Sequence, residues 1–154
     1  MIRLAIQKDI PGLEKLLCQV GQVHHVIRPD IFRDGCLKYD ETALADLLKD
    51  EKRPVFVAVE DDTVTGYCFC VLREYDGIGV STERKEIYID DLCVDESHRG
   101  QGIATDLYRR VLAYAKELGC QFVTLNVWCG NDGAMKFYEK MGLTPRNITL
   151  ETKV

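Results

Sequence analysis

Three observations place this chain in the α/β class. Residues 55–59 and 64–74 are two runs rich in β-branched and aromatic side chains, joined by the acidic turn Glu60-Asp61-Asp62, the pattern of an antiparallel hairpin. A third run, Ile87-Tyr88-Ile89-Asp90-Asp91-Leu92-Cys93-Val94, has the same strand character and leads through a short glycine-bearing loop into a helix. A further strand and helix follow it, so antiparallel strands come first and a strand–helix–strand–helix–strand unit comes late.

Length and composition set the frame. A chain of 154 residues makes one domain, spanning residues 1–154, with room for a proper core. Its 46% apolar and 29% charged residues exclude disordered and collagen-like classes. A net charge of −5 argues against non-specific nucleic-acid binding, which needs a basic face, and mildly favours cationic partners. No run approaches the ~20 apolar residues of a membrane span. The first residues, Met1 to Ile6, begin a strand and lack the apolar core and cleavage site of a signal peptide. Seven cysteines form no CxxC pair, and their odd number suits reduced, cytoplasmic thiols used as small hydrophobes. His24, His25 and His98 show no ligand spacing with them, so no structural metal is expected.

Taken in order, residues 3–6 read as an edge strand. Asp9 with Pro11 just inside starts a helix carrying Leu13, Leu16, Leu17 and Val20, and Gly21 is its expected end. Residues 23–39 show no sustained period and read as a connection whose histidines and aromatics suit a substrate entrance. Asp40 or Thr42 caps a second helix with Leu44, Leu47 and Leu48, and Pro54 stops it before the hairpin. After the glycine loop, Ala104, Leu107, Tyr108, Val111, Leu112, Ala115 and Leu118 form the apolar face of a third helix, which Gly119 closes. The apolar run 122–128 reads as a central strand. Asn131 caps a fourth helix ending at Gly142, and the alternation of residues 147–153 predicts a last strand.

The loop between the third run and its helix carries the chemistry. Arg99-Gly100-Gln101-Gly102-Ile103-Ala104 places two glycines at a helix N-terminus, where backbone N–H groups lack internal partners and the helix dipole adds roughly half a positive charge. Glycine lets a bulky phosphate approach the main chain where a Cβ would stand in the way. No Gly-Lys-Ser/Thr follows, against a P-loop. Thr105 stands where a dinucleotide fingerprint wants a small residue.

The order of elements and these residues resemble the GNAT superfamily of acetyl-CoA-dependent N-acetyltransferases. Its signature, Arg or Gln, two residues, Gly, one residue, Gly or Ala, is met by Arg99, Gly102 and Ala104. The string Asn131, Ala134, Tyr138-Glu139, Gly142 and the apolar strand ending in Trp128 match as well. The resemblance is strong over residues 55–144 and weaker before them. It implies a central mixed, mostly antiparallel sheet of about six to seven strands flanked by about four helices.

The resemblance also implies roles. Arg99, Gly100, Gln101, Gly102, Ile103, Ala104 and Thr105 would hold the pyrophosphate of coenzyme A. The backbone of Leu92, Cys93 and Val94 would pair with the pantetheine arm as an added strand does. The Leu92 N–H would face the thioester carbonyl as an oxyanion donor, with Asn131 on the cofactor arm and Tyr138 protonating the departing thiolate. Asp90, taken to share side-chain parity with Leu92 and Val94, is the candidate base, acting directly, through water, or only by attracting the cation; Glu86 and Tyr88 are reserves. Asp91 is read as structural and Cys93 as packing. The expected reaction moves acetyl from acetyl-CoA to a primary amine of a small cationic molecule. Alternatives are a protein N-terminus or lysine as acceptor, or a non-catalytic acyl-CoA-binding module. A homodimer is compatible with a terminal strand able to pair across subunits.

Overall fold

The computed structural model describes residues 1–35 and 37–154; Cys36, within the segment read as irregular, lies outside them. Five strands form one sheet in sequence order: β1 (Ile2–Leu4), β2 (Val55–Glu60), β3 (Thr63–Asp76), β4 (Glu83–Val94) and β5 (Phe122–Leu125). All neighbours are antiparallel except β4 and β5, which run parallel through the crossover helix α3 (Ile103–Glu117). Helices α1 (Ile10–Ile27) and α2 (Glu41–Leu47) cover one face; α3 covers the other, and α4 (Asp132–Lys140) follows β5.

Each sheet face buries its own core, as period-2 alternation requires. Val55, Val57, Tyr67, Phe69 and Cys93 pack on Leu13, Leu16, Leu17 and Leu44. Phe56, Cys68, Cys70, Ile87 and Ile89 pack on Leu107, Tyr108 and Val111 of α3. Cys68 and Cys70 share a face, their sulfurs 3.8 Å apart as free thiols.

Local chemistry sets most element ends. Asp40 accepts from the Ala43 N–H at 2.8 Å and caps α2. Asp61 and Asp62 take positive φ (44° and 60°) in the tight turn between β2 and β3. Asp9 departs from its expected cap role, accepting instead from Arg3 (2.7 and 2.9 Å) and from the Ile6 N–H.

Four expectations are corrected. The sheet has five strands among the described residues, not six to seven, because residues 147–153 pair with none of them. The run 122–128 makes a four-residue edge strand rather than a central one; Val123 and Leu125 pack in the α3 core, while Phe122 and Trp128 are exposed. Gly21 does not end α1, since its φ is not positive; the helix runs on to Ile27 and stops where Pro29 disfavours helical backbone at Arg28. Residues 23–27, read as irregular, are therefore helical.

Candidate functional site

The site is organised by an irregularity in β4. Phe69 pairs with Asp91 and Cys70 with Ile89, so Asp90 is an extra residue, a β-bulge. The bulge flips parity. Leu92 packs toward α3, whereas Asp90 accepts from the Tyr39 hydroxyl (2.8 Å) and pairs with Lys38 (2.9 Å), both from the segment between α1 and α2. Asp90 and Leu92 thus lie on opposite faces, and the expected shared parity fails because an inserted residue breaks the alternation it assumed. Asp91 lies on the α1 side with Asp90, accepting from the Tyr67 hydroxyl at 2.8 Å. Burial pushes the Asp91 carboxyl above its ordinary value, while the Tyr67 hydroxyl opposes the rise. Burial and the bond to Asp90 push the Tyr39 phenol up to about 12.

Beside the bulge the sheet opens. The β4–β5 ladder ends at Ile89 and Leu125, yet β4 continues to Val94, so no described strand pairs with the β5-facing edge of Leu92, Cys93 and Val94. Apart from the Val94 carbonyl, which accepts from Arg99 Nε at 3.4 Å, their main-chain groups on that side have no strand partner and are open to an extended ligand. Cys93 lies with its side chain in the α1 core, its thiol pushed up to about 12 by burial, which suits packing and not nucleophilic attack.

Below the open edge, Asp95 builds the turn into α3. Its carboxylate takes Lys15 of α1 at 2.7 Å, the Ser97 hydroxyl at 2.7 Å and the Ser97 N–H at 3.0 Å, and these contacts hold it well below the usual carboxylate range. Arg99 follows in extended backbone, then Gly100 (φ 77°), Gln101 and Gly102 (φ 83°). Gly102 caps α3 with no side chain to satisfy the first turn, so the N–H groups of Ile103, Ala104 and Thr105 have no intrahelical partner. An added Cβ at Gly100 or Gly102 would meet nothing within 4 Å, so the loop's outer surface is open to a ligand.

The start of α4 borders a cleft against α1. Asn131 caps α4, accepting from the Ala134 N–H at 3.4 Å, and lines this cleft of about 460 Å³ with Gln22 and Val26 of α1 and Glu96. Tyr138 is 9% exposed; burial, with Cys68 and Asp91 nearby, raises its phenol above the ordinary value. Of the reserve candidates, Glu86 is locked between Arg84 (2.7 Å) and Arg146 (3.0 Å), and Tyr88 lies under the Arg73 guanidinium.

Sequence reasoning missed Lys38, Tyr39 and Tyr67 as partners of the bulge carboxylates. Nothing local marks them: Tyr39 lies 51 residues from Asp90. It did single out the 23–39 segment, whose His24 packs on Phe32, and whose Phe32 meets Trp128 edge-on while Arg28 lies over that indole. Arg28 also binds Asp30 and, from the C-terminal segment, Glu151.

A bulged strand with an open edge, a glycine turn at a helix N-terminus and a later helix with a buried tyrosine make up the frame of an acyltransferase. Residues 22–143 match the model of the acetyltransferase (GNAT) family, and the chain belongs to it. An N-acetyltransferase of Methanocaldococcus jannaschii is 30% identical over 103 residues, 66% of this chain and 44% of that protein. The thialysine N-epsilon-acetyltransferase of Bos taurus is 27% identical over 139 residues, 90% of this chain and 75% of that protein. A crystal structure of a mutant BH1408 protein from Bacillus halodurans superposes with a TM-score of 0.96 at 30% identity, covering 100% of this chain and 99% of that one. The chain thus spans less than half the length of its archaeal relative.

Proposed function

We propose that this protein moves the acetyl group of acetyl-CoA directly to a primary amine of a small cationic molecule: a polyamine, an aminoglycoside-like compound or an amino-acid-derived amine. One observation carries the reading. The β4 edge at Leu92, Cys93 and Val94 is open beside the bulge, and the loop that follows it leads into an α3 N-terminus whose Ile103, Ala104 and Thr105 amides have no intrahelical partner.

Each residue then has a task. Arg99, Gly100, Gln101 and Gly102, with the first turn of α3, hold the diphosphate by amides and dipole. Leu92, Cys93 and Val94 pair with the pantetheine arm, and Asn131 contacts it from the other side. The Leu92 N–H stabilises the oxyanion, where loss of one donor typically costs ~100-fold or more. Tyr138 gives its proton to the leaving thiolate; a raised phenol keeps that proton in place until it is needed. Asp90, 19% exposed at the bulge, attracts the ammonium and takes its proton directly or through water.

The Lys38 ammonium already resting on Asp90 favours an alkylammonium acceptor, because it shows this carboxylate accommodating one. The bovine relative that acts on thialysine supports an amino-acid-derived amine. A protein N-terminus or lysine is the alternative acceptor.

Acetyl-CoA turnover, followed as thiol release over a panel of polyamines, aminoglycosides, amino acids and peptides, tests the reading. Tyr138→Phe should bind coenzyme A normally and turn over at least about ten-fold more slowly. Cofactor binding without turnover on any amine would leave the non-catalytic module in its place.

A further inference from the structure

We propose that Lys38 is itself an acetyl acceptor, modified in cis by the domain that carries it. This rests on the acetyl-transfer reading above and adds a modification site to it. The Lys38 Nζ lies 2.9 Å from the Asp90 carboxylate and 3.4 Å from the Asp90 carbonyl oxygen, so a primary amine of the chain's own already occupies the bulge, two residues from the Leu92 N–H. The other described lysine ion pairs, of Lys8, Lys15, Lys49 and Lys52, involve Asp62, Asp95, Asp46 and Glu74, none of them in the bulge.

Lys38 also has the freedom to react. Its side chain is 43% exposed and hangs from a connection between two helices, with the Tyr39 ring 5.7 Å away. A flexible four-carbon stem lets the nitrogen leave Asp90 and reach along the open edge of β4.

The step balances without any further reagent. Asp90 takes one proton from the ammonium and passes it to water. The free amine forms a C–N bond to the acetyl carbonyl carbon, and the C–S bond breaks with its electron pair leaving on sulfur. The second nitrogen proton replaces the one that Tyr138 gives to the thiolate. Nε-acetyl-Lys38, free coenzyme A and one released proton are the products. Acetylation removes the positive charge and with it the ion pair, which exposes Asp90 to an external ammonium.

The test incubates the native protein with acetyl-CoA and follows the masses of the peptides carrying Lys38 and Lys49. Lys49, 75% exposed on the surface near the end of α2, reports unassisted chemical acetylation. Lys38 should label at least about ten-fold faster than Lys49, at a first-order rate independent of protein concentration, and about ten-fold more slowly in Tyr138→Phe. Labelling no faster than Lys49, or a rate that grows with protein concentration, overturns transfer in cis. So does a protein that binds coenzyme A and acetylates external amines while Lys38 stays unmodified, and that outcome leaves the proposed function standing. A protein that binds no coenzyme A overturns both.

Discussion

Tyr67 and Asp91 meet across the β3–β4 ladder, the phenol hydroxyl donating to the carboxylate at 2.8 Å. Tyr67 is fully buried, and burial raises Asp91 while this bond restrains the rise. Tyr67→Phe removes a donor that favours the charged carboxylate, so the Asp91 midpoint should move further up. Losing a hydrogen bond to a charged group should also cost about 1.5–3 kcal/mol. Carbon-detected NMR titration and urea unfolding read the two effects; an unmoved midpoint would show that the bond is not what restrains this group.

With Tyr138 as the proposed acid, its raised phenol should set the alkaline side of the rate profile. A phenol above its ordinary value of ~10 stays protonated while the acceptor ammonium, itself near ~10, begins to lose its proton. kcat/KM should therefore climb from neutrality toward pH ~10 with no fall on the way. A decline setting in below about pH 9 would remove Tyr138 as the acid.

Gly102 holds φ 83° at the start of α3 with open space where a Cβ would go. An alanine there meets no atom, so its cost comes from the left-handed backbone and should be about 1–2 kcal/mol of stability. The added methyl faces the surface assigned to the diphosphate, so coenzyme A affinity should drop as well. Calorimetry of binding beside thermal unfolding separates the two. A variant that loses stability but binds with native affinity would place the diphosphate elsewhere.

These residues also show what the sequence made legible. The caps at Asp40 and Asn131 and the glycine turn into α3 were readable because each depends on residues within four positions of one another. The bulge was not, since strand alternation assumes an unbroken pleat and nothing at Ile89-Asp90-Asp91 marks an inserted residue. The partners of its carboxylates were hidden for a related reason: Tyr67 lies 24 residues from Asp91, and Tyr39 is brought to Asp90 by its packing on Phe69. Gly21 misled because a glycine inside a helix and one that ends it differ only in φ.

The C-terminal segment, expected as a strand, provides the last test. Arg146 anchors its start beside β5, binding Glu86 at 3.0 Å and lying 4.8 Å from the Phe122 ring. Beyond it Ile148 and Leu150 are 81% and 88% exposed, alternating with Thr149 and Glu151, and no described strand pairs with the outer edge of β5. An open sheet edge and an unpaired strand-like segment on one chain are complementary between two copies. A homodimer joined through these elements should have twice the chain mass by light scattering. The Ile148→Asp, Leu150→Asp double variant should return it to one chain without unfolding it, since neither side chain packs in the core. A native protein that stays at one chain mass across the micromolar range would rule this pairing out.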